Sequence, residues 1–200
     1  MISPAPFPDA APLAFGTMRL AGAPPAQVRA LLEATLEAGL TLVDTAPIYG
    51  ACGPGFGDVE SRLGAAFAEA PGMRDRIVLV TKAGIEPGMP YDSSAGALRA
   101  SCEASLRRMG TDRIDLFLIH RPDVLTGPAE VAEALDRLVA DGLVGAVGVS
   151  NHTPAQVSAL AHHMEAPLVA NQVEVSPLAI GALFDGTLDQ CQEREIVPMA

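Results

Sequence analysis

Ile77-Val78-Leu79-Val80-Thr81-Lys82 decides how this chain is read. A short run rich in β-branched residues ends in the only lysine of the sequence, and such a run reads as a buried strand. Two neighbouring runs of the same kind end in Asp44 and His120. If the three are successive parallel strands, their polar residues arrive together at one rim of a sheet, beside Tyr49 in the loop after Asp44. Active sites are assembled in that way.

Outward from Lys82, the chain alternates short Val/Ile/Leu runs with helical patterns, the signature of parallel strands joined by crossover helices. Strands are expected near 13–17, 40–43, 77–81, 114–118, 144–149, 168–171 and 195–199. Pro25 opens a first helix whose Val28, Leu31, Leu32, Thr35 and Leu36 recur at helical spacing, and Gly39 ends it with positive φ. A glycine-rich turn, Gly53 to Gly57, leads into a second helix carrying Glu60, Leu63 and Phe67. Ser93 or Ser94 caps a third, with Leu98, Cys102 and Leu106 at four-residue intervals. Pro128 starts a fourth, with Val131, Ala134, Leu135 and Leu138 inward and Gly142 at its end. Thr153, Pro154 and Gln156 make both a proline start and a capping box for a fifth.

Seven strands exceed what a small open sheet needs, so the expected fold is α/β, a (β/α)8 barrel of TIM type, in one domain over residues 1–200. A whole barrel takes eight strand–helix pairs in typically about 250 residues. This chain reads as stopping in or just after its seventh strand, with about six crossover helices. Its unpaired edges and apolar surface would offer a route to self-association or aggregation.

Composition narrows the function classes. No apolar run approaches the eighteen or so residues needed to cross a membrane, and the first basic residue is Arg19, which leaves no basic start for a secretory signal. A net charge of -11 repels nucleic-acid phosphates and anionic lipid, so a small-molecule partner is expected. Cys52, Cys102 and Cys191 are widely separated, without metal-ligand spacing, and read as reduced cytoplasmic thiols. The four histidines and the carboxylates lack a convergent ligand spacing, so no metal is expected. His162 and His163 read as the surface end of a helix, and His152 as part of the loop before the fifth one.

The residue types at the rim can serve proton donation to a carbonyl oxygen. Reducing a carbonyl leaves charge on oxygen, so an acid must stand beside that oxygen. A free tyrosine, with a pKa near 10, is a reluctant donor. An ammonium beside the phenol favours its ionised form, each unit of lowering being worth about 1.4 kcal/mol. Lys82 can supply that charge, and the carboxylate of Asp44 can keep a buried Lys82 charged and in place. His120 can donate a hydrogen bond to the substrate oxygen. Each residue also has a plainer reading: Asp44 as a turn cap, His120 as a satisfied rim histidine, Tyr49 as packing.

The run Asp44-Thr45-Ala46-Pro47-Ile48-Tyr49-Gly50, Lys82 within Val80-Thr81-Lys82-Ala83-Gly84, and His120 within Asp115-Leu116-Phe117-Leu118-Ile119-His120-Arg121-Pro122 resemble the aldo-keto reductases. Gly110-Thr111-Asp112-Arg113-Ile114-Asp115 is similar to the segment that precedes that strand in the family. The resemblance implies an oxidoreductase that reduces an aldehyde or ketone with NADPH, with Tyr49 as proton donor and Asp44, Lys82 and His120 as its catalytic companions.

For the cofactor, Ser150 and Asn151 end the fifth strand and Gln172 the sixth, where such side chains can bond a carboxamide. The resemblance implies that these three hold the nicotinamide amide. No Gly-x-Gly-x-x-Gly fingerprint follows a strand, and the family binds its cofactor without one. The family's late residues, which stack on the nicotinamide and hold the adenosine phosphate, find no match before Ala200. Met18, Arg19, Tyr91 and the Arg121-Pro122-Asp123 loop border the expected opening, with loop packing as their plainer role. Two other functions remain open: a catalytically inactive fragment or interaction subunit of the same fold, and an aldolase using lysine as a Schiff-base nucleophile.

Overall fold

The computed structural model describes Phe7 and residues 12–200. Seven strands form a single parallel sheet in chain order: β1 (Ala14–Gly16), β2 (Leu42–Asp44), β3 (Val78–Ala83), β4 (Ile114–Ile119), β5 (Val144–Ser150), β6 (Leu168–Gln172) and β7 (Val197–Met199). Each pair is joined by a helical crossover: α1 (Pro25–Glu37), α2 (Asp58–Glu69), α3 (Ala95–Met109), α4 (Pro128–Ala140), α5 (Pro154–Ala161) and α6 (Thr187–Glu193). The sheet curls as a half-barrel with its helices outside. Among the described residues β1 and β7 each pair on one side only.

The helix signals act as their chemistry requires. Ser94, rather than Ser93, caps α3 by accepting from the Ala97 N–H. At α5 the Thr153 hydroxyl accepts from the Gln156 N–H, and the Gln156 side chain accepts from the Thr153 N–H, which completes the capping box. Gly39, at φ 77°, turns the chain out of α1 in a conformation that costs glycine nothing.

Strand parity creates two cores. Outward residues such as Val43, Leu79, Phe117, Ile119, Val147 and Val149 pack beneath the helices with Val28, Leu32, Leu63, Leu98, Cys102 and Leu135. Inward residues Leu42, Val80, Leu116, Leu118, Ala146 and Ala170 form a smaller cluster inside the curl. Successive side chains on a strand alternate faces, so each inward run ends on a fixed residue at the C-terminal rim.

β5 lies close against β6, with a register shift between Val147 and Val149. Gly148 makes that approach possible, because a Cβ there would lie 2.6 Å from the Ala170 carbonyl oxygen and 2.8 Å from Leu118 Cδ2. The shift sets the height of Ser150 opposite Gln172, one step below the rim turn.

Candidate active site at the C-terminal rim

Counting by twos from the inner cluster places Asp44, Lys82, His120, Ser150 and Gln172 at the last inward positions of β2 to β6 or just beyond them. Leu42 leads to Asp44, Val80 to Lys82, Leu118 to His120, Gly148 to Ser150 and Ala170 to Gln172. Lys82 lies inside β3, one residue before its end. Tyr49 joins them from the turn after β2, where its N–H donates to the Ala46 carbonyl.

Lys82 is 1% exposed, among the most deeply buried side chains in the chain. Its ammonium donates to Asp44 Oδ1 at 2.7 Å, Asp44 Oδ2 at 2.8 Å, the Thr45 carbonyl at 2.9 Å and the Tyr49 hydroxyl at 3.1 Å. A buried cation of this kind persists only when its donors are used and its charge is matched. Asp44 is itself fixed: Gln172 Nε2 donates to its Oδ1 at 3.3 Å, while the Thr17 hydroxyl and N–H both donate to its backbone carbonyl at 2.9 Å. Burial lowers the Lys82 pKa and the Asp44 carboxylate opposes that fall.

The phenol departs from the sequence expectation. Tyr49 OH lies 3.4 Å from Asp44 Oδ2 as donor, and burial, followed by the Asp44 charge, raises its pKa above the ordinary value. That expectation has the ammonium favouring the ionised phenol; in the fold, burial and the Asp44 carboxylate act the other way. Tyr49 therefore keeps its proton at neutral pH. His120 faces the Tyr49 ring edge-on, with ring centroids 6.3 Å apart. Burial, then Lys82 and Arg121, depress its pKa to about 4, so at neutral pH the imidazole is uncharged and can donate from one nitrogen.

The expected carboxamide residues meet beside this group. Asn151 Nδ2 donates to Ser150 Oγ at 2.7 Å and to the His120 carbonyl at 3.4 Å, while Ser150 Oγ donates to the Gln172 carbonyl at 2.9 Å. Asn151 holds φ at 58°, a left-handed conformation that asparagine tolerates better than most residues. One contributor had no role in the sequence reading: Asn171 points outward and donates to the His152 carbonyl at 3.0 Å, fixing the turn that carries Asn151. Its alternation with Gln172 on β6 was the available signal. His152, buried in the same turn, bonds the Ser150 carbonyl through Nδ1 at 2.9 Å.

In the outer loops, Asp123 has a structural role. The Asp123 carboxylate accepts from the Ser93 and Leu125 N–H groups and from the Thr126 hydroxyl, which makes it a loop clasp. Met18 and Tyr91 are exposed. Cys102 lies buried in the outer core, and burial pushes its thiol pKa up to about 12. Among the described residues no cluster of three or more His, Cys, Asp or Glu side chains could hold a metal, and no helix is long and apolar enough to cross a membrane.

Known proteins similar to this chain include aldo/keto reductases. A 6-dehydroglucose reductase of Novosphingobium aromaticivorans is 47% identical over 94% of this chain and 63% of its own length. One of Agrobacterium fabrum is 46% identical over 88% of this chain and 61% of its own. The chain thus spans about three fifths of these relatives. Among solved structures, an aldo/keto reductase from Klebsiella pneumoniae in complex with NADP and acetate superposes with a TM-score of 0.77 at 32% identity, covering 96% of this chain and 63% of that one. The model of the Aldo/keto reductase family matches residues 12–200, which contain every rim residue described above, and the chain belongs to that family.

Proposed function

We propose that this chain carries the catalytic part of an NADPH-dependent oxidoreductase that reduces an aldehyde or ketone to its alcohol, with Tyr49 as proton donor. The observation that carries the reading is the 3.1 Å bond from Lys82 to the Tyr49 hydroxyl, made by an ammonium already clamped by both oxygens of Asp44. A reduced nicotinamide, when bound, supplies the hydride. The donor set at the rim fits its carboxamide: Asn151 Nδ2 and Gln172 Nε2 are engaged by the protein, whereas Asn151 Oδ1 and Gln172 Oε1 meet no donor among the described residues and can accept from an amide NH2.

The protein groups divide the remaining work. Tyr49 holds its proton throughout the physiological range and releases it to the substrate oxygen only as alkoxide character develops there, since an alkoxide is a stronger base than a phenolate. Lys82 then bonds the phenolate oxygen that remains; with Asp44 ionised, the three groups together carry one negative charge until a proton returns to Tyr49, a charge that the cationic ring of an oxidised nicotinamide would offset when bound. His120, uncharged, donates to the substrate oxygen from the opposite side and fixes its approach.

A Schiff-base role for Lys82 is disfavoured by the same bonds, because an amine held by four oxygen acceptors is a poor nucleophile. The test is titration of the folded 200-residue chain with NADPH, followed by nucleotide fluorescence, then aldehyde reduction with Tyr49→Phe as comparison. Saturable binding with turnover, cut by about 10²–10⁴ in Tyr49→Phe, is the expected result. Folded chain without binding would leave a noncatalytic member of the family.

A further inference from the structure

Behind the rim, on the opposite face of β3, lies a second buried carboxylate. Glu60 of α2 is fully buried, and both of its oxygens are used. The Thr81 hydroxyl donates to Oε1 at 2.6 Å, and Arg108 Nε of α3 donates to Oε2 at 2.6 Å. Thr81 immediately precedes Lys82 and points outward where Lys82 points in. Glu60 therefore grips β3 from outside, one residue from the ammonium that β3 presents inside.

The surroundings leave this grip little freedom. Arg108 is held in turn, donating from Nη2 to Ser105 Oγ at 3.2 Å and lying over the Phe56 ring at 5.7 Å. α2 reaches α3 through two glycines: a Cβ on Gly57 would stand 2.5 Å from Arg108 Cδ, and one on Gly64 would stand 2.2 Å from the Arg108 carbonyl oxygen. Well-packed apolar side chains usually stabilise such a position as well as or better than an ion pair does, so stability alone is a weak reason for a charge here. What the pair adds is a fixed position and a fixed charge beside β3.

We propose that Glu60 is a positioning residue of the candidate site: clamped by Arg108, it fixes Thr81 and so the placement of Lys82 against Asp44 and Tyr49. Lys82 makes four polar contacts between 2.7 and 3.1 Å, and a shift of β3 by a fraction of an ångström would weaken all of them together. The Glu60 charge also acts on Lys82 in the same sense as Asp44, favouring the ammonium. The charged and titratable groups around Lys82 are thus Asp44 and Tyr49 from β2 and its turn, His120 from β4, and Glu60 from α2 behind. The proposal rests on the reading of Lys82 as part of the catalytic site, yet its test reads ionisation and not turnover, so the two can fail separately.

Because Lys82 is the only lysine, protein labelled with 13C,15N-lysine gives one side-chain signal set, which can be titrated by NMR in the folded chain. Glu60→Gln keeps the shape and removes the charge. Thr81→Val keeps the charge and removes the link. Thr35→Val removes a comparable buried hydroxyl, bonded to the Leu31 carbonyl in α1 away from the rim, and serves as the comparison. The expected result is a displaced Lys82 signal in both test variants, with its ionisation midpoint lowered by about one pH unit, tenfold in proton affinity, in Glu60→Gln and by less in Thr81→Val. Thr35→Val should leave both unchanged. An unmoved Lys82 signal in folded Thr81→Val overturns the proposal, as does an equal displacement in Thr35→Val. If Glu60→Gln does not fold, Thr81→Val decides alone.

Discussion

The middle of the sheet and its two margins are built differently. β3, β4 and β5 run for six, six and seven residues and are buried on both faces, whereas β1 and β7 run for three residues each and are only partly covered. Lys82 stands on β3 and His120 directly follows β4. Gln172 and the turn held by Asn171 lie one strand from the β7 margin. The groups assigned to proton transfer draw on β3 and β4 and, through Asp44, on the short β2, whereas those assigned to the nicotinamide draw on the deep β5 and, through Gln172, on β6 beside the β7 margin. Loss of packing at the β7 margin should therefore reach Gln172 before it reaches Lys82.

The largest contrast lies in the outer core. Phe117 of β4 is fully buried between sheet and helices, and Phe117→Ala should lower unfolding free energy by about 3–5 kcal/mol. Val197→Ala on β7, at a half-covered position, should cost about 1 kcal/mol or less. Urea unfolding of both variants measures the difference, and equal losses would remove the distinction between middle and margin.

A backbone contrast is smaller. Gly148→Ala would force a methyl group against the Ala170 carbonyl and Leu118, an overpacking that should cost about 1–3 kcal/mol. Gly16→Ala on β1 meets nothing within 4 Å and should change stability by no more than about 0.5 kcal/mol. Thermal melts of the pair sharpen the comparison without altering any rim residue. The Gly148 variant should also weaken NADPH binding, because the register shift it disturbs sets the height of Ser150.

Much of this architecture was legible in the sequence because its signals are local. Helix starts at Pro25, Pro128 and Thr153 depend on neighbouring residues alone, and each lies where chain chemistry puts it. The order of Asp44, Tyr49, Lys82 and His120 gave away the rim, since strand parity converts sequence position into direction. Two things were hidden. The bond from Thr81 to Glu60 joins residues 21 apart through an outward position that looks like ordinary strand sequence. The raised pKa of Tyr49 comes first from burial of the phenol and then from the nearby Asp44 carboxylate, matters of packing and distance that no motif encodes.

The smallest effect concerns charge rather than packing. His120 in the folded chain has its pKa depressed to about 4, while in the unfolded chain it returns to about 6.5. Between these values the unfolded state binds more protons, so stability is fully present above about pH 6.5 and is lost as pH falls toward about 4. His152, in the turn at the β5–β6 side, is depressed by burial and contributes with the same sign. Melting temperature followed from about pH 7 down to about pH 4 should therefore fall in the parent chain and fall less steeply in His120→Asn. The residual slope belongs to His152 and to carboxylates such as Asp123, which, against the effect of burial, is held below the ordinary range by its hydrogen bonds and contributes with the same sign. A His120→Asn profile parallel to the parent's would mean that the deep rim does not hold its imidazole uncharged, and His120 would then have to be recast as a charged donor whose repulsion from Lys82 is offset by Asp44.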